Sequence, residues 1–165
     1  THLHADHAGG SVVDGEPRYP NAVHVVHPAD WTRTVGREHP NWARGAMQRL
    51  SELGMVDLGA EDREVSPGVR VVHAPGHMPG HRSVVLEDGG DSLLFTGDLL
   101  HTPIQIARPE HPSNHDVDTD EACRSRVRLV EEARRGGWIV GVSHFARPFG
   151  RAREEGWAEE PSPNG

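Results

Sequence analysis

The first ten residues carry the side chains most capable of chemistry. They read Thr1-His2-Leu3-His4-Ala5-Asp6-His7-Ala8-Gly9-Gly10, so three imidazoles and one carboxylate fall within six consecutive positions. In an extended segment His2 and His4 point the same way, because side chains alternate along a strand. After a turn, Asp6 and His7 can face the same cavity from the other side. Burying so many polar groups together is costly unless a cation lies among them.

Two divalent metal ions are the natural occupants of such a cluster. Histidine nitrogen and aspartate oxygen suit Zn²⁺, and Fe, Mn and Co ions are alternatives. Chance clustering is the competing interpretation, because the chain holds 13 His among 165 residues. The tight His-x-His-x-Asp-His spacing, followed by Gly-Gly, favours the metal site.

Three later residues can complete the same site, and each follows a predicted strand. His77 lies in a loop rich in Gly and Pro, Asp98 follows the apolar segment that ends at Phe95, and His144 follows the segment 138–143. Asp98 has two carboxylate oxygens and can therefore bridge two cations. Taken singly, each residue is more often a turn, cap or surface residue. Together with the opening cluster they predict a metal centre.

With these residues the chain resembles the metallo-β-lactamase-fold hydrolase superfamily, whose signature is Thr-His-x-His-x-Asp-His. The resemblance implies an α/β (α+β) fold, the αβ/βα sandwich, in which several strands precede the signature. Because the signature stands at residue 1, we expect a fragment that lacks those N-terminal strands. The expected domain covers residues 1–151, and residues 152–165 are expected to form a C-terminal tail.

The resemblance also assigns roles to the candidate ligands. The first metal would be held by His2, His4 and His77, and the second by Asp6, His7 and His144, with Asp98 bridging the two. His81, the second His of the Pro-Gly-His-x-x-Gly-His loop, would support the ligands. A hydroxide shared by the two metals would attack the substrate, and Asp6 would carry a proton to the leaving group.

Further motifs are similar to the lactonase, arylesterase and organophosphate hydrolase branch. They include His27-Pro28-Ala29-Asp30-Trp31 and the segment that runs from Gly97 to Gln105. Quorum-quenching acyl-homoserine lactonases carry a substrate-contacting Tyr three residues after the bridging Asp, where this chain has His101. His101 is therefore a candidate substrate-binding residue. His101, His111 and His115 could line a substrate pocket, but their place on or beside a polar loop favours solvent-exposed residues.

The expected function is metal-dependent hydrolysis of an ester, lactone or related bond in a small molecule. A glyoxalase II-like thioesterase shares the opening motif and the Gly-Asp bridge, but that family uses basic residues in a C-terminal helical region to bind glutathione. The chain has no Lys and no comparable extension. A metal-binding fragment without turnover is the remaining alternative.

Composition limits the partners. The formal net charge is −8 and no basic run is present, which argues against nucleic acid. The single Cys123 excludes an intrachain disulfide and a Cys-rich zinc module. No run of about 18 apolar residues is present to cross a membrane. The expected location is cytoplasmic; because the chain opens inside the motif, the lack of a visible secretion signal carries little weight.

Periodicity and turn signals predict the elements that position the ligands. Predicted strands cover residues 22–27, 69–74, 83–87, 92–95 and 138–143, the last being the final strand. Predicted helices cover residues 8–14, a segment from Pro28, residues 41–53 and residues 118–135, with a Gly-rich turn as the alternative for residues 8–14. The last helix is expected to begin at a capping box, Asp118-x-x-Glu121, and to place Cys123, Val127 and Val130 on one face. Residues 101–116 are expected to form a long loop.

Overall fold

The computed structural model describes residues 1–36 and 42–160, and these residues form two compact units. The smaller unit spans residues 2–61 and the larger unit contains Thr1 and the chain from Asp62 onwards. Both mix helices with strands, as the sequence predicts. None of the described helices is long and apolar enough to cross a membrane.

The smaller unit is built around one amphipathic helix. Its elements are α1 (Ala5–Ala8), β1 (Val12–Val13), β2 (Glu16–Pro17), β3 (His24–Val26), α2 (Pro28–Thr34), α3 (Trp42–Glu52) and β4 (Val56–Leu58). Helix α3 buries Ala43, Ala46, Met47 and Leu50, which recur at helical spacing. The predicted start of this helix at Asn41 lies outside the described residues. Leu53, the last residue of the predicted helix, is 42% exposed and follows the helix end.

The helix predicted over residues 8–14 is misplaced. Helix α1 ends at Ala8, a single 3₁₀ turn covers Gly9–Ser11, and β1 then pairs with β2 in a hairpin. The turn residues Asp14 and Gly15 both have positive φ, 50° and 83°. An Asp-Gly pair is the preferred sequence for such a turn, so the sequence did carry this signal.

The larger unit is a seven-stranded sheet with one long helix. Its strands are β5 (Arg63–Ser66), β6 (Val69–His73), β7 (Arg82–Asp88), β8 (Asp91–Phe95), β9 (Ile139–Gly141), β10 (Phe149–Arg153) and β11 (Gly156–Glu159). They lie in the order β11-β10-β9-β8-β7-β6-β5, and only β8 and β9 pair in parallel. The connection between these two strands contains α4 (Ile104–Ala107) and α5 (Thr119–Gly136). Residues 101–116, predicted as a plain loop, therefore include one short helix.

The C-terminal part of the sheet corrects the prediction of a tail from residue 152. Strand β9 is not the last strand, because β10 and β11 form a further antiparallel hairpin. Trp157 packs against the core and makes an edge-to-face contact with Phe145, with ring centroids 5.2 Å apart. The partly buried indole anchors a segment whose charged composition suggested a frayed end.

Helix α5 has the predicted ends but a different buried face. The Asp118 side chain accepts a hydrogen bond from the Glu121 N–H at 2.9 Å, and Gly137 ends the helix with a φ of 62°. Val127, predicted on the buried face, is 38% exposed. The buried residues are Ala122, Ser125, Arg126, Leu129, Val130 and Ala133. The face is rotated because it includes Arg126, whose guanidinium is held by hydrogen bonds to the preceding loop.

The loop between β6 and β7 is pressed onto the start of α5. The Asp118 N–H donates to the Gly76 carbonyl at 2.9 Å, and the Ser125 hydroxyl donates to the Pro75 carbonyl at 2.8 Å. Gly76 has a φ of 126°, and a Cβ at this position would lie 2.1 Å from the Ala122 nitrogen. Only glycine fits this approach, and the approach fixes the backbone next to His77.

His81 ties this loop to the residue after β8. Its Nδ1 lies 2.9 Å from the Ala74 carbonyl oxygen, and its Nε2 lies 3.0 Å from the Asp98 backbone nitrogen. Because a backbone N–H can only donate, Nε2 is the acceptor and Nδ1 carries the proton. The pKa of His81 is lowered to about 3, chiefly because the side chain is completely buried. The positive charge of the N-terminus is the second cause that lowers it. His81 is therefore neutral in the folded protein.

We predict that Gly76→Ala strongly destabilises the larger unit. The change combines a positive φ with a backbone clash, and should lower the free energy of unfolding by at least about 2 kcal/mol. Gly89→Ala is the matched control, since Gly89 also has positive φ but open space around it. It should cost only about 1 kcal/mol. Equal losses in urea unfolding would contradict the proposed close packing.

We predict that His81 makes stability depend on pH. Its pKa is lower in the folded than in the unfolded state, so its contribution is complete above pH 6.5 and is lost as the pH falls towards 3. Relative to His81→Gln, the free energy of unfolding of the unmodified chain should fall by up to about 1.4 kcal/mol per pH unit in this window. Urea unfolding at several pH values, with a chelator present, measures these free energies. If the free energies of the unmodified chain and His81→Gln changed equally with pH, the role of His81 would be refuted.

Candidate metal centre

In the larger unit, a buried carboxylate lies among three imidazoles. The Asp98 side chain is 5% exposed, and its Oδ1 lies 3.1 Å from His144 Nε2. Its Oδ2 lies 3.4 Å from His77 Nε2 and 3.8 Å from His101 Nε2. The structure thus brings together the three candidate ligands of this unit and adds His101 to them.

The end of β8 fixes the position of Asp98. Residues Gly97–Leu99 form a 3₁₀ turn, and Gly97 has a φ of 57°. A Cβ on Gly97 would lie 2.7 Å from His81 Nε2, so glycine is required for His81 to reach the Asp98 N–H. The Thr96 hydroxyl lies 3.1 Å from the Gly141 carbonyl oxygen and links the turn to β9. The end of β8, the positive φ of Gly97 and the contact with His81 together fix the position of the Asp98 carboxylate.

His77 and His144 differ in their exposure to solvent. The His77 side chain is only 4% exposed, because the Gly76 loop is packed against α5. His144 is 39% exposed and lies in the turn after β9, three residues beyond the end of that strand at Gly141. His144 therefore lies on the open side of Asp98 and His77 on the closed side.

His101 is a buried neighbour of Asp98 and not an exposed loop residue. Its side chain is 12% exposed, and its ring stacks on that of His144 with centroids 5.6 Å apart. Burial, and to a smaller extent the nearby His77, lowers the pKa of His101 to about 4. His101 is consequently neutral at pH 7. His111 and His115 are exposed, as the alternative prediction had it, although His115 stacks on His101.

In the smaller unit, the opening motif gathers its own polar side chains. His2 Nε2 and His4 Nδ1 are 2.9 Å apart, as expected for alternating residues of an extended segment. The His2 and His7 ring centroids are 4.2 Å apart, and His7 Nε2 lies 3.4 Å from Asp6 Oδ2. Helix α1 begins after His4 and carries Asp6 and His7 in its single turn. The Asp6 side chain is 62% exposed.

The chemistry of these donors fits divalent metal ions. Both units present imidazole nitrogens beside carboxylate oxygens, which is the ligand set that zinc prefers. A buried carboxylate such as Asp98 is stabilised by nearby positive charge, and the adjacent His101 imidazole is neutral at pH 7. A cation bound to these groups would satisfy both the carboxylate and the imidazole lone pairs.

Asp116 and Arg126 belong to this region and were not identified from the sequence. Both side chains are fully buried, and Arg126 Nη2 lies 3.0 Å from Asp116 Oδ2. Asp116 Oδ1 lies 3.5 Å from His77 Nδ1. Asp116, His77 and His101 present potential ligand atoms within 4.8 Å of one another. The sequence signal that could have indicated this pair is Arg126, a charged residue on the otherwise apolar side of the predicted helix.

Sequence comparisons identify the family. Residues 1–135 match the family model described as the metallo-beta-lactamase superfamily. An N-acyl homoserine lactonase from Bacillus sp is 32% identical over 149 residues, which cover 87% of this chain and 53% of that protein. An atrochrysone carboxyl ACP thioesterase from Passalora fulva is 31% identical over 101 residues, covering 61% of this chain and 25% of that protein.

Comparison with solved structures supports the same fold. The dizinc quorum-quenching lactonase AidC, solved with a homoserine product, has a TM-score of 0.80 at 20% identity, covering 98% of this chain and 62% of that chain. The present chain spans about half the length of the Bacillus lactonase. Taken with the family-model match and the lactonase identity, the fold places this chain in the metallo-β-lactamase superfamily.

Proposed function

We propose that this chain is a dinuclear metal-dependent hydrolase that cleaves an ester, lactone or related bond in a small molecule. The proposal rests on the buried Asp98 carboxylate. Its oxygens lie 3.1, 3.4 and 3.8 Å from ring nitrogens of His144, His77 and His101, respectively. Membership of a superfamily of metal-dependent hydrolases supports the proposal.

The proposed ligand set follows the superfamily signature. In this proposal His2, His4 and His77 would hold the first ion, Asp6, His7 and His144 would hold the second, and Asp98 would bridge the two. Support comes from the Thr-His-x-His-x-Asp-His motif and from the contacts that the candidates make within each unit. A carboxylate suits the bridging position, because its two oxygens can each bind one cation.

Zinc is the metal we favour. Imidazole nitrogen and carboxylate oxygen are common zinc ligands, and no thiolate takes part, since Cys123 is the only cysteine. Iron, manganese and cobalt accept the same ligands and are alternatives. When bound, two divalent ions supply a nucleophile derived from water at neutral pH and polarise the substrate carbonyl or phosphoryl oxygen.

The chain's own residues orient the ligands and move the proton. His81 holds the Asp98 backbone through its Nε2 and stays neutral because it is buried. Asp6 is the proposed proton carrier to the leaving group. Its carboxylate is 62% exposed, so it can exchange a proton with solvent after each turnover.

The proposed substrates are small esters and lactones, by analogy with the Bacillus N-acyl homoserine lactonase. Preference for homoserine lactones themselves is not part of the proposal. His101 stands where those lactonases carry a substrate-contacting Tyr, and it offers a neutral imidazole there. A neutral ring can donate one hydrogen bond to a substrate oxygen without adding charge to the site.

We predict that the purified chain, loaded with Zn²⁺ and then dialysed, retains about two zinc ions per chain. Asp98→Ala should lose at least one of them and nearly all hydrolytic activity, because the bridging carboxylate is removed. Elemental analysis measures the metal. Asp91→Ala, an exposed carboxylate in the β7–β8 turn, is the control and should retain the full metal content. Unchanged zinc in Asp98→Ala would refute the bridging role.

We predict that the zinc-loaded chain hydrolyses aryl esters or lactones, and that a chelator abolishes this activity. The assay compares lactones, aryl esters, paraoxon-type phosphotriesters and S-lactoylglutathione, which represent the enzyme branches that the sequence resembles. Hydrolysis of the thioester alone would replace the proposal with a glyoxalase II-like activity. Absence of turnover in a chain that binds zinc would identify a non-catalytic metal-binding protein.

A further inference from the structure

We propose that Asp116 is a positioning residue that accepts the Nδ1 proton of His77 and thereby leaves the Nε2 lone pair of His77 directed towards Asp98. This inference rests on the proposed function, in which His77 Nε2 is a metal ligand. Nothing in the opening motif assigns a role to Asp116.

The two nitrogens of His77 face two different carboxylates. Nε2 lies 3.4 Å from Asp98 Oδ2, and Nδ1 lies 3.5 Å from Asp116 Oδ1. All three side chains are at most 5% exposed. Metal-ligating histidines commonly donate their other ring N–H to a carboxylate, which fixes the tautomer and the ring orientation. Asp116 has the position and the chemistry of that acceptor.

Asp116 is held in place through its other oxygen. Arg126 Nη2 donates to Oδ2 at 3.0 Å, and both side chains are fully buried. Arg126 also donates from Nε to the Leu99 carbonyl at 2.8 Å and from Nη1 to the His111 carbonyl at 2.8 Å. A guanidinium carries five N–H donors in a fixed plane, so these bonds restrict Asp116 to one orientation.

The backbone keeps Asp116 and His77 side by side. The Val117 N–H donates to the His77 carbonyl at 3.3 Å, and the Asp118 N–H donates to the Gly76 carbonyl at 2.9 Å. The segment that carries Asp116 is therefore hydrogen-bonded to the segment that carries His77. Their side chains approach each other because the adjoining backbones are joined.

A buried carboxylate oxygen requires a donor, and His77 can provide it. Among the described residues, Asp116 Oδ1 has no hydrogen-bond donor at ordinary distance, although it is fully shielded from solvent. Leaving such an oxygen unsatisfied is costly. The Nδ1–H tautomer of His77 supplies a proton to Asp116 Oδ1 and keeps the Nε2 lone pair for the metal ion of the proposed function. The Nε2–H tautomer would place the Nδ1 lone pair against Asp116 Oδ1 and leave no lone pair for a metal.

The decisive variant is Asp116→Asn, which keeps the shape of the side chain. Arg126 has only donors, so the amide oxygen should face Arg126 and the amide NH₂ should face His77. A donor opposite Nδ1 favours the Nε2–H tautomer, whose Nε2 has no lone pair for a metal. We expect the zinc dissociation constant, measured by competition with a chelator, to rise about 10- to 100-fold.

A second readout needs no metal. Long-range ¹H–¹⁵N NMR spectra of the metal-free chain at pH 8 report the tautomer of each His, and His77 is assigned by comparison with His77→Asn. We expect the Nδ1–H form in the unmodified chain and the Nε2–H form in Asp116→Asn. Asp120→Asn is the matched control, because it removes an exposed carboxylate from the first turn of α5. It should change neither readout.

An Nε2–H tautomer of His77 in the unmodified chain would overturn the proposal, even if Asp116→Asn failed to fold. Unchanged zinc affinity in a folded Asp116→Asn would also overturn it. Both outcomes leave the metal centre itself intact. Failure of the unmodified chain to bind zinc would instead refute the proposed function, and the tautomer measurement would still test the contact between Asp116 and His77.

Discussion

The burial of the Asp98 carboxylate is the constraint on which the larger unit depends. A carboxylate shielded from water needs hydrogen-bond donors or a cation, and its neighbours are imidazoles within 4 Å. Burial keeps His81 and His101 neutral at pH 7, so these two rings do not balance the negative charge. Divalent metal ions held by these groups would balance the negative charge, and the donors present are those that zinc prefers.

The scaffold around Asp98 relies on buried polar contacts as much as on apolar packing. Arg126 and Gln105 are almost completely buried and both bind backbone groups of the segment between β8 and α5. Gln105 accepts hydrogen bonds from the His101 N–H at 2.8 Å and donates to the His111 carbonyl at 3.3 Å. Such networks give an irregular segment a single conformation, which a metal ligand requires in order to bind without a large loss of entropy.

The sequence predicted the candidate ligands and most of the secondary structure. The strands around residues 69–73, 82–88 and 91–95 were found, because β-branched residues and the Gly89-Gly90 turn give strong local signals. The caps of α5 were found for the same reason. The prediction of which α5 residues are buried was wrong, because the burial of Arg126 depends on carbonyl groups that lie up to 27 residues away in the sequence. No local pattern reports such a contact.

Two other features were missed for related reasons. The β10–β11 hairpin has a charged sequence, and it is held by pairing with β9, by the buried Ala152 and by the packing of the partly buried Trp157 against the core. Asp116 looked like part of a polar loop, because its partners Arg126 and His77 are distant in sequence. Contacts between residues that are far apart in the chain could therefore not be predicted from the sequence, whereas motifs confined to a few residues could.

The most direct test of the metal centre is anomalous X-ray diffraction at the zinc edge from crystals of the zinc-loaded chain. If the centre is dinuclear, we expect two anomalous peaks about 3.5–4 Å apart, with the Asp98 carboxylate bound to both metal ions. A single peak, or peaks remote from Asp98, would contradict the proposed dinuclear centre.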